Sequence, residues 1–127
     1  MSDSKSLTAD ELMSRMMKKE LFVILNTAAV PAAELRGNLK AHLDYLIALE
    51  KQGVLFASGP LFASGGEMTG EGLTIIRAGS YEEAKKIAAA DPFVVAGQRT
   101  PVVKRWIVNE GRISVTVDIS DCTVSLV

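Results

Sequence analysis

The chain has few of the residues that usually hold metals or disulfides. It contains one cysteine, Cys122, and one histidine, His42, among its 127 residues. A single cysteine cannot form a disulfide within the chain, and one cysteine with one histidine cannot supply the ligands of a structural zinc site. Any metal would have to bind carboxylates alone, and we predict no metal site.

The sequence also lacks an excess of one charge and a long apolar run. Its 14 basic and 15 acidic side chains give a formal net charge of -1, which provides no broad field to attract a polyanion. No apolar run approaches the length of a membrane span, and residues 1–6 lack the basic-then-apolar profile of a signal peptide. We predict no nucleic-acid partner, no membrane partner and a cytoplasmic location.

Apolar residues, by contrast, are plentiful. They make up 48% of a chain whose length suits one domain,. This is more apolar surface than a small monomer readily hides, so part of it should meet another subunit. We expect a homodimer or a larger homo-oligomer.

The order of predicted elements is strand, helix, strand, strand, helix, strand, which is typical of a ferredoxin-like split βαβ sandwich of the α+β class. Apolar runs predict the strands, and leucines three and four residues apart predict the first helix. Gly53 is placed to end that helix, and Ser80 with Glu83 forms a capping box for the second helix. The predicted ranges are 21–25, 31–52, 54–57, 73–77, 80–90 and 102–108.

Both ends of the chain extend beyond this pattern. Thr8 with Glu11 forms a capping box for an extra helix that reaches about residue 19. Apolar and polar residues alternate over 113–119 and again over 122–126, which predicts half-buried strands. The tail should extend the sheet or cross to a partner subunit. We therefore divide the chain into an N-terminal extension, 1–19, a domain, 20–108, and a C-terminal β extension, 109–127.

His42 is the strongest candidate for chemistry. It falls on the apolar side of the first helix, so it should point toward the sheet and be partly buried. The structural alternative is a core histidine satisfied by a backbone carbonyl or by a carboxylate. Tyr45, one turn later, either orients the imidazole or packs within the apolar face.

Asp91 stands where the second helix ends, a position at which the helix dipole does not favour a negative charge. As an ordinary turn residue it would accept backbone N–H bonds near Phe93 and Val94. As a functional residue it would have to face His42.

The segment Ser58-Gly59-Pro60 leaves the end of the second strand. Glycine permits close approach of a ligand to the backbone, and the serine hydroxyl could bind it, although Gly-Pro alone is a common turn. Phe62 and Met68 fall in the glycine-rich stretch that follows, as an apolar lid or an ordinary hairpin loop.

Several segments in this order resemble the YCII-related (YciI-like) family of small dimeric α+β barrel proteins, from about residue 20 to residue 106. They are residues 42–46 (HLDYL), 53 with 58–60 (G, SGP), 80–84 (SYEEA), 91–93 with 96–97 (DPF, AG) and 103–106 (VKRW). The resemblance implies a histidine and aspartate catalytic dyad, which falls on His42 and Asp91. Ser58, Gly59, Pro60, Phe62 and Phe93 are then the predicted substrate-binding residues.

Some members of this family are dehydrochlorinases of aromatic degradation. The resemblance therefore implies a lyase or isomerase that transfers a proton, without a cofactor, on a small oxygenated cyclic or aromatic-derived substrate. His42 would take or give the proton, and Asp91 would fix its tautomer and stabilise the imidazolium. The alternatives are a non-catalytic dimer that binds a small metabolite and a structural subunit with no ligand.

Overall fold

The computed structural model describes residues 6–126. The chain forms two compact units, one of which is Glu20–Ile107. The other consists of the terminal segments that precede and follow it. Each unit has its own secondary structure.

Four strands form the sheet of the Glu20–Ile107 unit. They are Lys19–Ala28 (β1), Leu55–Phe62 (β2), Met68–Ile76 (β3) and Arg99–Val108 (β4). Their spatial order is β2-β3-β1-β4. Strand β1 pairs antiparallel with β3, and β3 pairs antiparallel with β2. Among residues 6–126 the sheet ends at β2 and β4 and does not close into a barrel. The predicted ferredoxin-like α+β fold is confirmed.

Helix α3, Tyr81–Ala89, packs against the central strands. The Ser80 hydroxyl accepts a hydrogen bond from Glu83 N at 3.1 Å, and the Glu83 carboxylate accepts one from Gly79 N at 2.8 Å. These bonds satisfy backbone donors that a helix start leaves unpaired. The buried cluster between this helix and the sheet consists of Phe22, Ile24 and Ile76 from the strands and Ala84 and Ala88 from the helix.

The first predicted helix begins differently from the prediction. A 3-10 helix occupies Ala32–Asn38, and the α-helix α2 covers only Leu39–Lys51. Gly37 disfavours a continuous α-helix, and Asn38, whose Nδ2 donates to Pro92 O at 2.9 Å, has a φ of -114° and a ψ of 7° rather than α-helical values,. The predicted end is confirmed, because Gly53 has a φ of 76° and Val54 N bonds Leu49 O at 2.9 Å,.

In the terminal unit, helix α1 covers Ala9–Ser14, which is shorter than predicted. The Thr8 hydroxyl caps it by accepting from Glu11 N at 3.1 Å. Lys18, with a φ of 52°, turns the chain before residue 19. A turn this close to Ser14 leaves no room for the longer helix.

The C-terminal strands β5, Val115–Asp118, and β6, Thr123–Leu126, pair with each other in a separate antiparallel sheet. They do not extend the main sheet, and every residue of both strands is exposed in the single chain. The strands form as predicted, but in the single chain they are not half-buried. A two-stranded sheet with no layer on either face has nothing to bury its apolar residues against.

Candidate active site

A cavity of about 790 Å³ lies in the Glu20–Ile107 unit, between the 3-10 helix and α2 on one side and β2 on the other. Its volume is in the range of small-molecule pockets. Leucine side chains of α2 supply much of its apolar wall. Its lining includes His42, Ser58, Gly59, Pro60, Phe93 and Arg99, together with the charged residues Arg36 and Glu50.

His42 and Asp91 contact each other although 49 positions separate them in sequence. Nδ1 of His42 lies 2.9 Å from Oδ1 and 2.9 Å from Oδ2 of Asp91. The histidine is 7% exposed and the aspartate is 4% exposed. Because an ionised carboxylate has no proton to give, Nδ1 is the donor and carries the ring proton.

Asp91 also accepts a hydrogen bond from Phe93 N at 2.9 Å, which makes it the N-cap of a short helix, α4, Pro92–Val95. The expectation that the helix dipole disfavours this carboxylate is therefore wrong. Asp91 comes after α3, but it starts α4, where a negative charge is favoured. Its carboxylate is held by the cap on one side and by the imidazole on the other.

Phe93 contacts both His42 and Arg99. It is 1% exposed. Its ring stacks on the His42 imidazole, with centroids 4.3 Å apart and planes inclined by 22°. The guanidinium carbon of Arg99 lies 4.7 Å from the same ring centroid. The phenyl ring thus limits the movement of both neighbouring side chains.

The predicted residues of β2 meet the cavity in part. Ser58, Gly59 and Pro60 line it, and Ser58 Oγ lies 2.8 Å from Thr74 Oγ1. Phe62 is not part of the lining and is 58% exposed. In the single chain its side chain therefore does not form part of the cavity wall.

The glycine-rich stretch after Phe62 is mostly strand rather than loop. Phe62 ends β2 and pairs with Met68, the first residue of β3. Met68 lines the cavity. The paired backbone excludes a loop that covers both residues, so the lid interpretation fails for Phe62.

Tyr45 does not orient the imidazole. Its hydroxyl donates to Ile87 O at 2.7 Å. Burial raises the pKa of Tyr45, and the negative charge of Asp91 adds to the increase. Tyr45 therefore joins α2 to α3 behind the dyad.

Arg99 is a residue of the cavity that the sequence did not predict. It opens β4, is 8% exposed and lines the cavity. Burial lowers its pKa, and the charge of Asp91 opposes the decrease. No local pattern marks it, because an arginine at the start of a strand is ordinarily exposed.

The fold and the site define a class of protein, an open ferredoxin-like α+β domain with a histidine and aspartate pair beside a small-molecule cavity. The family model of the YCII-related domain matches residues 20–107. The chain belongs to the YCII-related family, which confirms the resemblance found in the sequence.

A solved structure of a related enzyme is similar to this chain. It is the 5-chloro-2-hydroxyhydroquinone dehydrochlorinase from Burkholderia phenoliruptrix AC1100, in complex with 2,5-dihydroxybenzoquinone. The TM-score is 0.59 and the sequence identity is 29%, over 68% of this chain and 92% of that chain. A comparison with curated proteins gave no match.

Two further features bear on partners. Among residues 6–126, no helix has the length and apolar character needed to cross a membrane. In the same part of the chain, no three His, Cys, Asp or Glu side chains cluster in a way that could hold a metal ion.

Proposed function

We propose that the protein is an enzyme that moves a proton on a small oxygenated cyclic substrate and so catalyses an elimination or an isomerisation. The observation that carries this proposal is the contact between His42 Nδ1 and the Asp91 carboxylate, with the imidazole at the cavity wall. Membership of the YCII-related family and similarity to a dehydrochlorinase support it.

The chemistry follows from the tautomer. With its proton on Nδ1, the neutral imidazole has a lone pair on Nε2, which makes that nitrogen the base. When Nε2 takes a proton from the substrate, the ring becomes positive and the adjacent Asp91 carboxylate stabilises it. The protonated Nε2 can then donate the same proton to another atom of the substrate.

The two reaction types differ in where the electrons go. In an elimination, the electron pair of the broken C–H bond forms a double bond, and the leaving group departs with its own bonding pair. In an isomerisation, the proton returns to a different carbon. Neither outcome needs a cofactor. We assign the binding of a substrate oxygen to Ser58 and the Gly59 backbone, and contact with the ring to Pro60 and Phe93.

Two assays test the catalytic role of His42. The first incubates the protein with 5-chloro-2-hydroxyhydroquinone without oxygen and measures chloride release by ion chromatography. The second follows, by NMR in D2O, the exchange of carbon-bound protons in a set of cyclic enols and hydroquinones. We expect turnover or exchange by the wild type and a loss of about 10²-fold or more in His42→Ala, the scale of a working acid–base group.

Asp44→Asn is the matched control for Asp91→Asn. Asp44 is an exposed carboxylate on α2 that pairs with Lys40 at 2.6 Å. Asp44→Asn should keep wild-type rates, and Asp91→Asn should lose about as much as His42→Ala. Wild-type rates in both site variants would remove the dyad from the mechanism. Ligand binding without turnover by the wild type would favour the metabolite-binding alternative.

We also propose that the functional unit is a homodimer formed through the open face of the sheet. Helix α3 packs on the face that carries Phe22, Ile24 and Ile76. Because alternate residues of a strand point to opposite sides, the residues between these point to the other face, and several of them are apolar,. We call the following residues the open sheet face: Val23, Leu25, Leu73, Ile75, Val102 and Trp106.

Strand pairing supports this assignment. Val23 pairs with Ile75, and Leu25 pairs with Leu73, so these four side chains share one side of the sheet. Val102 and Trp106 on β4 are 46% and 39% exposed in the single chain. A continuous apolar patch of this kind is typical of a subunit interface.

Sedimentation velocity at micromolar concentration tests the dimer. We expect the wild type to sediment as a dimer and Val102→Lys as a monomer, because a lysine ammonium is costly to bury at an apolar interface. Lys86→Glu, which changes an exposed charge on α3, on the other side of the sheet, is the control for general charge effects. A wild type that is monomeric under these conditions contradicts the proposal.

A further inference from the structure

Arg99 is a buried cation with few protein contacts. Its Nε donates to Gly70 O at 2.9 Å, and its guanidinium lies over the Phe93 ring. Within residues 6–126 it makes no ion pair, and neither terminal nitrogen donates a hydrogen bond to a protein acceptor. A guanidinium has five N–H donors in a planar fork, so four of them remain for another acceptor.

Gly72 leaves the space that this guanidinium occupies. A Cβ atom on Gly72 would lie 2.7 Å from Nη1 and 3.2 Å from Cζ of Arg99. Any larger residue would displace the charged group. The glycine thus lets the guanidinium lie against the backbone of β3 at the edge of the cavity.

Asp91 does not neutralise Arg99 by direct contact. Its carboxylate is already bonded to His42 Nδ1 and Phe93 N. Burying a cation costs free energy unless an anion or several hydrogen-bond acceptors compensate for the lost water. The Gly70 carbonyl and the Phe93 ring supply part of that compensation. A ligand in the cavity, which Arg99 lines, can supply the remaining acceptors.

Arg99 and His42 line the same cavity and lie against the same phenyl ring. Both side chains contact the same phenyl ring, the imidazole centroid at 4.3 Å and the guanidinium carbon at 4.7 Å from its centroid. Because both groups line one cavity, a cyclic ligand bound there has a guanidinium for one of its oxygens and an imidazole for its reacting atom. A planar fork is well suited to an oxygen that carries negative charge.

We propose that Arg99 binds an anionic oxygen of the ligand, so that the cavity selects small ring compounds with an ionised hydroxyl, enol or carboxyl group. This rests on the proposed function for the reacting group, His42, and adds the substrate class. The binding step itself breaks no bond and requires no turnover.

Calorimetric titration with two probes tests the proposal. The first probe is 2,5-dihydroxybenzoquinone, whose acidic hydroxyls are ionised at neutral pH, and the second is 2,5-dimethoxybenzoquinone, which has the same ring but cannot ionise. We expect the wild type to prefer the ionised probe. Arg99→Met should weaken binding of that probe by about 10- to 100-fold, the scale of a hydrogen bond to a charged group. It should change binding of the neutral probe by less than about 3-fold.

Arg77→Met is the matched control. Arg77 also lies over a phenylalanine, with its guanidinium carbon 5.4 Å from the Phe56 centroid, but it is exposed and does not line the cavity. It should leave both affinities unchanged. Arg99→Lys should restore part of the preference, because it keeps the charge but loses the fork.

Gly72→Ala provides a second test if Arg99→Met does not fold. Its added methyl group displaces the guanidinium while keeping the charge, so the preference for the ionised probe should fall. Equal weakening of both probes in the variants, no preference in the wild type, or no binding of the ionised probe to the wild type would each overturn the proposal. Turnover that survives His42→Ala would refute the proposed function and leave this inference standing.

Discussion

Strands β1 and β5 both contain apolar residues, but their environments are opposite. In β1, Leu21, Phe22 and Ile24 are 1%, 1% and 3% exposed. In β5, Val115 and Val117 are 61% and 56% exposed. Strand β1 lies between β3 and β4 with α3 packed on its buried side, whereas β5 has only β6 beside it. An apolar run or an apolar-polar alternation therefore predicts a strand, but a second layer of structure is needed to bury that strand.

If packing depth separates the two regions, truncating a side chain should cost much in one and little in the other. We expect Phe93→Ala to lower the free energy of unfolding by about 3–5 kcal/mol, because it leaves a cavity between His42 and Arg99. Val124→Ala, on a β6 residue that is 65% exposed, should change it by less than about 0.5 kcal/mol. Urea unfolding provides the measurement, and equal effects would remove the contrast.

Carboxylates provide a second contrast. Asp91→Ala should lower the free energy of unfolding by about 2–3 kcal/mol, since it removes the α4 cap and leaves His42 Nδ1 buried without an acceptor. Asp91→Asn should retain most of the stability, because asparagine is also a good N-cap. Asp44→Ala on the exposed side of α2 should cost less than about 0.5 kcal/mol. A stable Asp91→Ala would indicate that the pair contributes to chemistry alone.

Tyr45 tests a contact of intermediate burial. Tyr45→Phe removes the hydrogen bond to Ile87 O and should cost about 1 kcal/mol, whereas Tyr81→Phe at an exposed tyrosine should cost less. The folded chain disfavours the ionised form of Tyr45, because its pKa is raised. Stability should therefore fall as pH rises above the ordinary value near 10.0,. The fall should be smaller in Tyr45→Phe, as thermal melts at pH 8 and about pH 10.5 would detect.

The smallest effect should come from deleting residues 109–127. The terminal segments form their own unit, so the Glu20–Ile107 unit should lose less than about 0.5 kcal/mol of stability,. The chain's one tryptophan, Trp106, lies in that unit and reports its unfolding by fluorescence. A larger loss would mean that the hairpin supports the domain. It would also contradict the proposed domain boundary at residue 108, which this deletion tests.

Short-range features of the fold could be predicted because their causes lie within a few residues. The caps at Thr8 and Ser80 and the turn at Gly53 each depend on bonds between neighbours in sequence. The 3-10 start of the first helix was missed, since it depends partly on a bond from Asn38 to Pro92 O across the fold. Local propensity does not contain such a contact.

The candidate site was predictable only in part. His42 was marked by its place on an apolar helix face, and the family resemblance, not spacing, joined it to Asp91. Phe62 lies outside the cavity lining of the single chain, at the end of a strand that was interpreted as a loop. Arg99 was missed, since nothing in its neighbours along the chain distinguishes a buried arginine from an exposed one.

By itself, then, the sequence determined the main strands, the caps at Thr8 and Ser80, the end of α2, the α+β order and the one imidazole available for acid–base chemistry. These depend on hydrophobic period and on hydrogen bonds between near neighbours. The tertiary structure alone decided that Asp91 caps α4 while bonding His42, that Gly72 makes room for the Arg99 guanidinium, and that the C-terminal hairpin stays exposed. Each of these depends on which distant segments pack together, and packing between distant segments leaves no periodic signal in the chain.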